Sequence, residues 1–140
     1  MSLAIIDWQR VPINQLGQQP HRADLYCIGR GGNLQYIGKS FSQHVDDEIW
    51  QTIRRLGITP QGTQVWVGTL NTAASDFGRR TDQLITDIEC LLINTHQPPL
   101  NIQCKQAYTG RCPLKVRNRG THPLRICVRC ERGIVYKTCG

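Results

Sequence analysis

Glu89 lies at the border of an apolar helical stripe, flanked one turn away by Ile85 and Leu92. A carboxylate there can point along a sheet surface while its helix stays packed, which suits a ligand for Mg²⁺ or Mn²⁺. A single carboxylate leaves most of an octahedral shell to water and substrate oxygens. An ordinary border glutamate is the competing reading. Tyr26 and Tyr36 stand on two successive short apolar runs. A free phenol, with a pKa near 10, is a poor base at neutral pH. A nearby metal or cation lowers that value and makes proton transfer feasible. Two aromatics packed across a hairpin would look the same in sequence. Lys39 suits a phosphate oxygen, and equally a solvated surface. Such a set answers the needs of phosphodiester hydrolysis, which are an activated water, a stabilised pentacovalent charge and a protonated leaving oxygen.

A second constellation is Cys127-x-x-Cys130, which with Cys112 and Cys139 would supply the four thiolates that tetrahedral zinc requires, His122 being able to replace one. The second paired knuckle of a zinc ribbon is missing, so free, partly buried thiols remain the alternative. Cys27, Cys90 and Cys104 read as small core residues.

These residues need elements to hold them. Leu25–Gly29 and Leu34–Lys39 are short apolar runs around Arg30-Gly31-Gly32-Asn33, a hairpin turn by composition. Thr63–Leu70 is rich in β-branched and aromatic residues and reads as a third strand. Between them a helix is indicated by Phe41, Val45, Ile49, Ile53 and Leu56 at three- and four-residue steps. Ser42 suits its N-cap, Asp46, Asp47 and Glu48 its first turns, and Gly57 its stop. A second helix fits Thr81–Asn94, with Leu84, Ile88, Leu91 and Leu92 as its buried stripe and Pro98-Pro99 beyond its end. The expected fold class is α+β: a small three-stranded antiparallel sheet flanked by helices. After it, Leu114 and Val116, then Leu124, Ile126 and Val128, alternate with basic residues around Asn118-Arg119-Gly120. That pattern predicts a C-terminal β-ribbon with one apolar and one basic face.

The ordered set Tyr26, Tyr36-Ile37-Gly38-Lys39-Ser40, helix-borne Glu89 and Pro99-Leu100-Asn101 resembles the GIY-YIG nuclease family. The second half of that signature is intact, and the first reads Asp24-Leu25-Tyr26. The resemblance covers roughly residues 22–104 and implies a Mg²⁺-dependent endonuclease that hydrolyses phosphodiester bonds in nucleic acid, with DNA the expected substrate. By the same resemblance Glu89 holds the metal, Tyr26 takes a proton from the attacking water directly or through Tyr36, and Asn101 supports the site by hydrogen bonds. Family members usually carry an arginine in the first helix, often followed by a histidine one turn later; that register gives Asp46 and Trp50 here. Arg54, two turns on, is the expected substitute because long helical side chains lean toward the N-terminus, with His44 and Arg55 behind it. An acid in the arginine's place leaves a rival from another class, a catalytically impaired module that only binds nucleic acid. A zinc-stabilised interaction module is a third reading.

The chain has 140 residues and a formal charge of +7. Residues 1–104 carry eight Lys/Arg and nine Asp/Glu, whereas residues 105–140 carry nine Lys/Arg against Glu131 alone. The excess positive charge therefore lies in the last segment, which suggests a polyanionic partner gripped by Lys115, Arg117, Arg125 and Arg129; a solvated basic tail is the plain alternative. The expected organisation is a lead-in over 1–21, a nuclease-like domain over 22–104 and a basic, cysteine-containing extension over 105–140. No apolar run approaches the roughly 20 residues that span a bilayer, and the N-terminus lacks the layout of a secretory signal. Seven cysteines, an odd number, argue against a fully paired extracellular scaffold, so a reducing cytoplasm is the expected compartment.

Overall fold

A computed structural model describes residues 2–17, 22–41 and 44–139. Seven strands form one mixed sheet, curled as a half-barrel, in the order β3-β2-β4-β1-β5-β6-β7, with two α-helices. The expected three-stranded sheet with a separate ribbon is thereby overturned. The reason lies in residues 3–11. Strand β1 (Leu3–Val11) is central, antiparallel to β4 (Thr63–Leu70) and parallel to β5 (Leu114–Gly120). Ala4, Ile5 and Ile6 are all buried. A strand covered on both faces reads as a continuous apolar run, and here that run is short enough to pass for an edge segment. Because β1 accepts β5, the basic C-terminal strands continue the main sheet.

β2 (Leu25–Arg30) and β3 (Asn33–Lys39) form the hairpin that the glycines indicate, with Gly31 and Gly32 at φ +59° and +82°. β3 is an edge strand. One face of the sheet carries α1 (Val45–Arg55), which buries Val45, Ile49 and Ile53 against Tyr26, Ile28, Val65 and Val67. The other carries α2 (Asp82–His96), packed on Ile6, Trp8, Leu25, Cys27, Leu114 and Val116. Thr81 caps α2, its Oγ1 accepting from the Leu84 amide at 3.2 Å. The proposed α1 cap, Ser42, falls outside the described residues. Phe41 precedes α1 and packs with the α2-side core, so it does not extend the α1 stripe.

Strand β6 runs Cys127–Glu131 and is followed by a short β7, Ile134–Tyr136. Leu124 and Val128 are buried as the alternation suggests, but Ile126 is 73% exposed. The chain bends over residues 121–126 and enters β6 only at Cys127. That bend is tied down from two sides. Asn118 donates from Nδ2 to the Arg125 carbonyl at 2.8 Å, and His96 Nε2 on α2 accepts the Arg125 amide at 2.9 Å. The Trp8 indole donates to Asn118 Oδ1 at 2.9 Å, joining β1 to the same knot.

Candidate active site at the edge of strand β3

The open edge of β3 is closed by side chains rather than by another strand. Asn101 does most of this: its Oδ1 accepts from the Ile37 amide and its Nδ2 donates to the Ile37 carbonyl, both at 2.9 Å. One side chain thus stands in for a strand partner, satisfying two buried backbone groups that would otherwise be orphaned. Two residues on, the Glu89 carboxylate accepts from the Lys39 amide. Glu89 and Asn101 therefore flank the second half of β3, drawn together from α2 and from the turn after it. The two segments that carry them are also joined by the Cys90–Cys104 disulfide, with 5.3 Å between its Cα atoms.

On the other face, Tyr26 is fully buried beneath the same edge. Its cross-strand partner is Gly38, and a Cβ on Gly38 would overlap the Tyr26 ring. The glycine of Tyr36-Ile37-Gly38 is thus the space that the first tyrosine fills. The Tyr26 hydroxyl lies 2.8 Å from Thr52 Oγ1 and donates to Glu48 Oε1 at 3.3 Å. Tyr36 sits on the same face, its ring centroid 6.1 Å from that of Tyr26. Arg55 donates to the Tyr36 hydroxyl at 3.4 Å and places its guanidinium 6.0 Å from the ring centre.

The electrostatics follow from burial. Glu89 is pushed up to about 7, first by desolvation and then by the nearby Glu48 carboxylate, against the lowering effect of Lys39. Tyr26 is raised out of the range of ordinary proton acceptors, chiefly by burial. A neutral, buried phenol cannot serve alone as the base, whereas a carboxyl near 7 is half ionised at neutrality. Lys39 Nζ is held by Asp82 Oδ1 at 3.0 Å and Thr86 Oγ1 at 2.7 Å, beside Glu89.

Several expected positions move. Arg54 is exposed, and it is Arg55 that meets Tyr36. Asp46 does not occupy an arginine's place: it is buried and accepts from the Gly17 amide at 2.9 Å, while Trp50 reaches the Leu16 carbonyl at 3.5 Å. That face of α1 serves the chain before β2. His44, exposed, stands at the N-cap of α1 without a side-chain cap bond. Glu48 and Thr52 are the residues that sequence reasoning missed; with Arg55 they form one stripe at four- and three-residue steps, a signal hidden because Glu48 also suits a helix first turn.

The four thiols offered for zinc do not converge. Cys127 and Cys130, three apart on one strand, point to opposite faces, and the structure pairs Cys112 with Cys130 and Cys127 with Cys139. Cys90 and Cys104, expected as plain core residues, are also paired; Cys27 alone is free and buried. Among the described residues, no group of three or more His, Cys, Asp or Glu side chains gathers for a metal.

In the C-terminal strands Lys115 faces Arg129 across β5 and β6, and Arg117 faces Cys127. These residues alternate with the buried Leu114, Val116 and Val128, so they lie on the α1 side of the sheet, the side of Tyr26 and Tyr36. Arg129 is largely engaged internally: it stacks 4.2 Å from the Tyr136 ring centre, donates to Glu131 at 3.3 Å and to the Thr138 carbonyl. Arg125 leaves that face altogether, because it lies in the bend beside His96. Among the described residues no helix is long and apolar enough to cross a membrane. No family model, curated protein or solved structure matches this chain.

Proposed function

We propose that this chain is a metal-dependent endonuclease that hydrolyses phosphodiester bonds in DNA, of the GIY-YIG type that its motifs resemble. The observation that carries the reading is the meeting of Tyr26, Tyr36, Lys39, Glu48 and Glu89 at one strand edge, from two strands and two helices on opposite faces of the sheet. Packing alone gives no reason for two carboxylates to approach each other in a half-buried place, where like charges oppose ionisation.

The residues fit a hard divalent cation. Glu89 offers the oxygen donor, and a positive charge beside it relieves the repulsion between Glu89 and Glu48. Ser40, one residue past Lys39, has a buried hydroxyl with no hydrogen-bond partner among the described residues. One protein carboxylate with water and phosphate completing the shell is a common arrangement for Mg²⁺, which when bound supplies Lewis acidity toward the phosphate. The chain's own groups do the rest. Lys39 and Arg55 set positive charge on either side of a phosphate at the β3 edge. The Tyr36 hydroxyl, held by Arg55, orients the phosphate or the attacking water. Tyr26 donates to Glu48, so a proton arriving at the phenolic oxygen through Tyr36 passes on to the carboxylate. Tyr26 and Glu48 act as one acceptor.

The direct test is incubation of supercoiled plasmid with the full chain in Mg²⁺ and in EDTA. Nicked circles should form with Mg²⁺ only. One observation favours the second reading, a module that binds nucleic acid without cutting it: Tyr26 has no solvent exposure. Retained binding with no nicking in Mg²⁺ or Mn²⁺ would establish that reading instead.

For the basic face, Lys115 and Arg117 are the proposed phosphate contacts. Deleting the segment is not a usable test, since Leu114, Val116 and Val128 belong to the core. The Lys115→Ala/Arg117→Ala variant should lower the log–log salt slope of duplex binding by roughly 2, at about 0.9 per phosphate contact. An unchanged slope would place the grip elsewhere. Pairing of six cysteines suits an oxidising compartment better than the cytoplasm expected from sequence.

A further inference from the structure

At the other end of β3 from Glu89, a groove of about 450 Å³ opens between the hairpin and the C-terminal end of α1. Its apolar floor comes from Ile28, Leu56 and Ile58, and its polar wall from Asn33 and Gln35. The size and this mixture, a mostly apolar cleft with a few polar groups, are those of a small-ligand site. The wall is built on an irregularity. Ile28 pairs with Tyr36 but Gly29 pairs with Leu34, so Gln35 is the extra residue of a β-bulge. A bulge re-aims one side chain out of the strand alternation. The Gln35 carbonyl is used by the Leu100 amide at 3.0 Å, yet neither the Gln35 nor the Asn33 side-chain amide has a hydrogen-bond partner among the described residues. Arg30 closes one end, donating to the Thr59 carbonyl at 3.2 Å.

We infer that this groove receives one unstacked nucleobase, an adenine, of the DNA strand being cut, and that Asn33 and Gln35 read its edge. The inference rests on the nuclease reading for the identity of the strand. A side-chain amide presents one acceptor and two donor hydrogens side by side, the pattern that pairs with adenine N6 and N7. The neighbouring Tyr36 ring, with Arg55 beside it, offers a stacking surface for the next base. From Lys39 back to Gln35 the strand spans about 14 Å, so a backbone laid along the β3 edge reaches the groove within a few nucleotides of the phosphate at Glu89. Asn33 and Gln35 are therefore specificity residues, separate from the groups at the reacting phosphate.

The test uses the full chain in EDTA, titrated with a short oligo-dT and with the same strand carrying one central adenine. The adenine strand should bind about tenfold tighter, the scale of one amide–base pair. The Asn33→Ala/Gln35→Ala variant should bind both strands equally, with an unchanged salt slope. Equal affinity of the unaltered chain for the two strands, or a preference that survives in the variant, overturns the inference. Plasmid nicking in Mg²⁺ is read separately. An adenine preference without nicking leaves the groove standing on a binding module, and nicking without any preference removes the groove alone.

Discussion

Glu89→Gln is expected to abolish nicking and, in the same protein, to stabilise the fold above neutral pH. The two effects have one origin. Burial and the Glu48 carboxylate move Glu89 from an ordinary 4.5 to about 7. The folded protein therefore keeps a proton that the unfolded chain has released, and stability falls as pH rises from 4.5 to 7. Above 7 the folded carboxylate is ionised and its destabilisation is complete, on the order of 2 kcal/mol after allowing for its partial exposure. Glutamine carries no charge and can still accept from the Lys39 amide, so the variant should lose this slope and gain that amount at pH 8. Thermal melts at pH 5 and pH 8, with and without Mg²⁺, measure it. Mg²⁺ should raise the melting temperature of the unaltered chain at pH 8 and leave the variant unmoved. Cleavage at even a tenth of the unaltered rate would remove Glu89 from the metal site. A variant no more stable at pH 8 would mean that the carboxylate is not held under the strain described.

The local elements of this fold are legible because their signals are local. The Arg30-Gly31-Gly32-Asn33 turn fixes the hairpin, the run 63–70 gives β4, and Thr81 with the stripe from Leu84 to Leu92 gives α2. What sequence patterning misses is pairing across long separations. β1 and β5 meet with Leu3 opposite Lys115, and nothing in either segment states that partner or its parallel sense. The same limit applies to the site. Tyr36, Glu89 and Asn101 are found through ordered motifs. Glu48 and Thr52 are not, since each has an innocent local role at its place in α1, and Arg55 enters the sequence reading only behind Arg54. Asp46 illustrates the converse error. An acid in the arginine register counts against catalysis only if that position faces the site, and here it faces Gly17. The cysteines follow suit: Cys127 and Cys130 have knuckle spacing, but on an extended strand this spacing separates the two side chains.

Tyr26→Phe decides between the nuclease and the binding module. The substitution keeps the ring that fills the space left by Gly38 and deletes only the hydroxyl shared with Thr52 and Glu48. Thr52 Oγ1 is then left in a buried place without this partner, which costs about 1–3 kcal/mol of stability. If Tyr26 and Glu48 together accept the water's proton, turnover should fall by roughly two to four orders of magnitude, the range for losing a general base. Folding loss cannot imitate this when rates are taken well below the variant's own melting temperature. DNA binding and its salt slope should stay as they are, because a fully buried hydroxyl touches no phosphate. Glu48→Gln should give a loss of similar size, and the double variant should be little worse than either single one, as for groups that act as a unit. A Tyr26→Phe protein that nicks within threefold of the unaltered rate would reduce Tyr26 to a packing residue and pass the proton-accepting role to another group at the β3 edge.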